Sequence, residues 1–266
     1  MNTGPRVAVS HSEPPPVRAV APPHVLRWIR LGWTDLRRAG WPSLLHGLLV
    51  TVASLLIVEI ALLFWPLLPG AVSGFLVVGP MLATGLYALS RRLEHGQRPR
   101  LRDALDAWRQ GSRCLFRFGL LLVLTATLWV AISVLLFHFF IDADIERPLD
   151  FLRYVVTQGD DAFLEWTVLA GLVAGLVFAL TVVSVPLLVD RDVKTKVALV
   201  TSLRAVGENP GTMLGWALFL LAATSLSIAT LMLGFLVLYP LMGHASWHAY
   251  RDLVDVSELP PRSFSK

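Results

Sequence analysis

The chain has a single cysteine, Cys114, among its 266 residues. One thiol excludes an intrachain disulfide and a cysteine-based zinc cluster. At the head of an apolar run, Cys114 reads as a small apolar filler rather than a reactive group. Charge is scarce as well: Asp, Glu, Lys and Arg make up 16 % of the residues, against about 25 % in a soluble domain. Catalytic signatures are missing. The sequence holds no Gly-x-Ser-x-Gly elbow, no phosphate-binding loop and no His-Glu-x-x-His zinc motif. No standard reaction is written in it, which points away from an enzyme.

What it has instead is apolar length. The hydrophobic fraction is 55 % and the mean hydropathy is +0.63. Leu44–Leu68, Gly70–Leu89, Cys114–Phe140 and Phe163–Val189 are long apolar stretches, and Thr212–Tyr250 contains no Asp, Glu, Lys or Arg. A bilayer core of about 30 Å is crossed by roughly 20 apolar helical residues. These runs are too long and unbroken for barrel strands, so the expected fold is an all-α polytopic membrane bundle. As one helix, Thr212–Tyr250 would reach about 58 Å, nearly twice the hydrocarbon thickness. Two helices joined by a turn near Thr224–Ser227 fit better and bring the expectation to six crossings, with five as the alternative. Residues 1–24, with Pro14, Pro15, Pro16, Pro22 and Pro23, read as a disordered tail rather than a signal peptide. Residues 25–254 form the membrane domain and 255–266 a short tail.

Loop charge sets orientation, because Lys and Arg stay cytoplasmic. Arg27, Arg30, Arg37 and Arg38 precede the first stretch, and Arg91, Arg92, Arg98, Arg100, Arg102, Arg109 and Arg113 follow the second. Asp142, Asp144, Glu146, Asp150, Asp160 and Asp161 dominate the segment after the third, and Arg191, Lys194, Lys196 and Arg204 follow the fourth. The basic segments are therefore expected on the cytoplasmic side with both termini, and the acidic one outside. Each of three basic segments also carries a helical apolar stripe: Leu26, Ile29, Trp33, Leu36; Leu101, Leu105, Trp108; and Val193, Val197, Val200, Leu203. Such helices lie in the headgroup layer of an anionic leaflet. The implied architecture is three hairpins, each preceded by an interfacial helix. Anionic lipid accounts for these basic faces, and nucleic acid is not expected as a partner.

The first and last hairpins repeat one another at an offset of 160 positions. Gly74-Phe75-Leu76-Val77 recurs as Gly234-Phe235-Leu236-Val237, Pro80 as Pro240, Arg91 as Arg251 and Leu93 as Leu253. Each Pro precedes its Arg by close to three helical turns, which places the two on one face. In the middle unit Pro186 stands much nearer its Arg191.

The phrase Val78-Gly79-Pro80-Met81-Leu82, leading to Leu86-Tyr87-Ala88-Leu89-Ser90-Arg91-Arg92-Leu93-Glu94, resembles a domain-of-unknown-function family of bacterial integral membrane proteins. The closing phrase Gly243-His244-Ala245-Ser246-Trp247-His248-Ala249-Tyr250-Arg251-Asp252-Leu253 is similar to a motif of the same family. The resemblance spans roughly residues 26 to 254 and implies an inner-membrane location. Some members carry the label cytochrome c oxidase subunit I. A catalytic subunit of that kind has about a dozen spans and several haem- and copper-binding histidines, which this chain lacks.

Candidate functional residues are few. His244 and His248 share a helical face at spacing i, i+4, and His46 is expected at similar depth. That set could bind a transition metal or supply a haem ligand. With Trp247, Tyr250 and Arg251 around it, the pair also reads as an interface belt, and that reading is favoured; no cofactor is then expected. Glu59 is the acidic residue inside the first stretch, roughly level with His138 and Glu165, and an ionisable group in lipid marks a pathway or a buried partner. Gly171 and Gly175 form a Gly-x-x-x-Gly pair that permits close helix approach, within the chain or to a second copy. Pro80 and Pro240 are expected to kink their helices. Three functions remain open: a non-enzymatic scaffold or accessory subunit, attached by the resemblance to a respiratory complex; a small transporter or channel using Glu59; and a haem- or metal-binding redox protein.

Overall fold

The computed structural model describes residues 13–64, 79, 81–109, 113–140 and 161–262. Expectations for Pro80, for the His138 side chain, for the acidic segment 141–160 and for the first dozen residues fall outside them. The described residues are all-helical: α1 His24–Ala39, α2 Trp41–Leu63, α3 Thr84–Glu94, α4 Leu101–Arg109, α5 Arg113–Phe140, α6 Asp161–Thr181, α7 Ser184–Asp190, α8 Thr195–Glu208, α9 Pro210–Ala229 and α10 Phe235–Leu253. Among the described residues, four segments are long and apolar enough to cross a membrane: Trp41–Ile60, Phe116–Leu135, Phe163–Asp190 and Pro210–Ala229. Their exposed side chains, such as Leu49, Leu56, Leu124, Leu172 and Leu218, form the greasy exterior that lipid requires.

The last apolar stretch does divide into two helices, but later than Thr224–Ser227. Ser227 stays helical because its hydroxyl donates back to the Ala223 carbonyl at 2.8 Å, which satisfies a polar side chain without breaking the helix. The break falls at Thr230–Gly234. There the Met232 N–H donates to the Ser227 carbonyl at 2.8 Å and the Leu231 N–H to Ile228 at 3.0 Å. This is the Schellman ending of a helix, with Leu231 at φ 52° in the place usually taken by glycine.

The helix α10 is the centre of the bundle. Every residue from Tyr239 to Trp247 is buried, and α1, α2, α3 and α9 pack around it. Two glycines make that packing possible. A Cβ on Gly32 of α1 would stand 2.7 Å from the Ala245 backbone nitrogen. A Cβ on Gly47 of α2 would collide with the Leu236 carbonyl oxygen. Pro240 supplies no N–H for that carbonyl, so the proline frees a polar group and the glycine lets another helix cover it. Along α10, the contacts to α3 advance together. The Tyr239 hydroxyl donates to the Gly79 carbonyl at 3.0 Å, Leu86 packs on Gly243, and the Trp247 ring nitrogen donates to Glu94 at 3.0 Å. The two repeat-related helices therefore run side by side in the same direction.

The interfacial reading of the amphipathic helices needs amendment for α1. Trp28, Asp35, Leu36 and Ala39 are buried against the bundle, while Leu26 and Trp33 stay exposed on a separate strip. Leu105 on α4 and Leu203 on α8 are likewise exposed, whereas Val193 and Val197 join the core.

The proline-rich start departs from the disordered tail expected up to residue 24, since from residue 13 it is docked. The Arg18 N–H donates to the Leu253 carbonyl and the Asp255 N–H to Pro16, at 2.8 and 2.9 Å. Asn209 clasps the same strand, accepting from the Val20 N–H at 2.6 Å and donating to the Arg18 carbonyl at 3.1 Å. Prolines restrict the unfolded chain, which lowers the entropy lost on docking. The end of the chain is tied down too. The Ser257 backbone and side chain, then Arg18, hold the Asp255 carboxyl down at about 2, and Arg262 donates to the Leu188 carbonyl at 2.9 Å. Both tails, the end of α3, α4 and the end of α7 thus gather at one end of the bundle.

Candidate functional site

At that end the sequence places acidic and basic residues on different helices, and the fold brings them into two buried networks. The first is a chain through His244, which is fully buried. Its Nε2 lies 2.8 Å from the Ser43 hydroxyl and its Nδ1 2.7 Å from the Ser90 hydroxyl. Ser90 donates to Asp35 Oδ2 at 2.7 Å, so its lone pair must accept from His244 Nδ1–H. The remaining nitrogen, Nε2, then accepts from Ser43. His248 Nε2 donates to the same Asp35 oxygen at 2.9 Å. The sequence of donors is fixed: Ser43 to His244, His244 to Ser90, Ser90 to Asp35, with His248 meeting it at the carboxylate. Five side chains on α1, α2, α3 and α10 are joined this way.

This corrects the interface-belt reading for His244, which faces the interior and not the headgroups. It does not create a ligand set either. Both ring nitrogens are engaged by serine hydroxyls. His46, half-buried in α2, donates from Nδ1 to the Pro42 carbonyl at 2.8 Å and packs against Gly85. Among the described residues, no three His, Cys, Asp or Glu side chains are grouped as a metal would need.

The second network is centred on Asp190, whose side chain is only 4 % exposed. Arg91 Nε lies 3.1 Å from Oδ1, Arg191 Nε 3.1 Å from Oδ2 and Arg251 3.5 Å from Oδ2. The Tyr250 hydroxyl donates to Oδ2 at 2.8 Å. The arginines that close the three repeat units therefore converge on one carboxylate. Arg251 also binds Glu94 at 2.8 Å. Glu94 in turn accepts from the Trp247 ring nitrogen.

Asp35, Ser43 and Asp190 lay in no motif, and Ser90 stood inside the family-like phrase without being singled out. The one available signal was Asp190 itself, an acidic residue closing an apolar stretch immediately before a basic segment. The remaining candidates lie apart from these networks. Glu59 is exposed on α2 and Glu165 on α6. Gly171 and Gly175 do not bring another described helix close, since a Cβ on either would meet nothing within 4 Å; both face a cavity of about 530 Å³.

Residues 67–190 match the family described as predicted integral membrane protein, DUF2189. The match agrees with the resemblance that the motifs carry, and the chain is an integral membrane protein. The match takes in Ser90, Arg91, Glu94 and Asp190 and stops short of α8, α9 and α10, so the closing His244 phrase lies outside it. No curated protein matches the chain. No solved structure matches it either.

Proposed function

We propose that this protein is a non-enzymatic scaffold or accessory subunit of the bacterial inner membrane, with six crossings and both termini cytoplasmic. The observation that carries this reading is the closure of its polar interior. His244, Asp35 and Asp190 spend their hydrogen-bonding capacity on residues of their own chain, which suits a clamp that holds helices together. Broad apolar faces on α2, α5, α6 and α9 remain for lipid or for a membrane partner, and a respiratory complex is the partner class suggested by the resemblance. Affinity purification in mild detergent followed by mass spectrometry is expected to recover a membrane partner in fixed ratio. Recovery of the protein alone, as a monomer, would overturn the reading.

The basic residues gathered at the end that carries both docked tail segments support this orientation. Reporter fusions after Lys266 and within residues 141–162 are expected to report opposite sides of the membrane. Reports from the same side would remove one crossing. Glu59 does not line the cavity of about 530 Å³, so that cavity does not support the transporter reading.

A further inference from the structure

Between α3, α5, α6, α9 and α10 lies a slot of about 530 Å³, open on one side. This is within the range of ligand sites, about 300–1,000 Å³. On α6 its wall runs from Thr167 to Thr181, about 21 Å at 1.5 Å per residue. That length suits an extended hydrocarbon chain.

The chemistry of the wall agrees with the shape. Five of the six hydroxyls that line it are already used. Thr167 donates to the Phe163 carbonyl at 2.9 Å, Thr181 to Val177 at 2.6 Å, Ser246 to Met242 at 2.8 Å and Tyr239 to Gly79 at 3.0 Å. Tyr87 bonds to Ser246. A polar ligand would find its own groups unpaired there, at a cost that an apolar one avoids. Three of the lining helices belong to segments able to cross a membrane, so the opening lies where lipid is the solvent. The width comes from Gly171 and Gly175, beside which there is empty space.

We propose that this slot is a binding site for one acyl chain of a membrane lipid. The test uses the full-length protein in mild detergent and palmitic acid carrying a mid-chain diazirine, with cross-links mapped by mass spectrometry. Label is expected on α6, α9 and α10 and is competed by unlabelled palmitic acid. The series Gly175→Ala, Gly175→Val, Gly175→Leu fills the slot stepwise. It should reduce labelling by about tenfold or more at leucine, with thermal stability kept or raised because the added carbons enter empty space. Gly207→Leu on α8, also facing open space but outside the slot, should label as the parent does. Equal labelling across the Gly175 series overturns the proposal. So does label confined to outer faces such as Leu49 and Leu56, the mark of surrounding lipid only. Unfolding already at Gly175→Ala would show that the space is not open, and would overturn it too.

Discussion

Asp190→Asn is expected to cost the folded protein about 3–5 kcal/mol, the range for removing one member of a buried ion pair. The substitution keeps the side chain's size and leaves an oxygen to accept from Tyr250, so it isolates the loss of charge. Arg91 and Arg191 would remain half-buried beside a neutral amide, with their desolvation no longer offset. Arg251 has a second carboxylate in Glu94 at 2.8 Å and is more exposed, so Arg251→Gln should cost far less, about 1 kcal/mol. Thermal unfolding in one detergent, with all variants side by side, measures the ranking. An Asp190→Asn protein within about 0.5 kcal/mol of the parent would place it among ordinary surface changes and would show that the carboxylate is not the point on which the three arginines depend.

That convergence bears on how much of the fold could be read from residue order. The repeat at an offset of 160 positions pointed to Arg91 and Arg251 as equivalent, and the two helices do run the same way. It could not say that they meet, because the shared carboxylate comes from a third segment far along the chain. The apolar stretches were legible for a simple reason: lipid leaves a helix few alternatives. Interior packing was not. Gly171-x-x-x-Gly175 has the expected spacing for close approach and borders empty space, while Gly32 and Gly47, in no motif, sit directly against the backbone of α10. Spacing identifies a smooth helix face but not its neighbour. The same limit applied to His244. Its aromatic and basic neighbours resemble an interface belt, yet α10 is buried from Tyr239 to Trp247, so the imidazole is interior and needs two protein partners. Ser43 and Ser90, which supply them, are ordinary residues in sequence and become a site only through α2 and α3.

The chain through His244 makes a prediction of comparable size. His244→Ala would leave the buried Ser43 hydroxyl without an acceptor and Ser90 without a donor, at about 1–3 kcal/mol for each buried group left unpaired, and would open a void where the ring stood. A loss of about 2–5 kcal/mol is expected in thermal unfolding. Stability alone would not separate this chain from plain packing, so the pairing is tested directly. In a double-mutant cycle, His244→Ala with Ser90→Ala should show a coupling of about 0.5–3 kcal/mol. The direction of the chain has its own signature. With Ser90 donating to Asp35 at 2.7 Å, the proton of neutral His244 must sit on Nδ1, the less common tautomer of a free imidazole. Nitrogen NMR of the selectively labelled protein is expected to show a protonated Nδ1 and a bare Nε2. The reverse assignment would mean that Ser43 accepts rather than donates, and would break the path from Ser43 to Asp35. Asp35→Asn should weaken the hold on both Ser90 and His248, because an amide oxygen is a poorer acceptor than a carboxylate. If a double-mutant cycle of Asp35→Asn with His248→Ala shows no coupling in thermal unfolding, the two ends of the chain are not joined through the carboxylate.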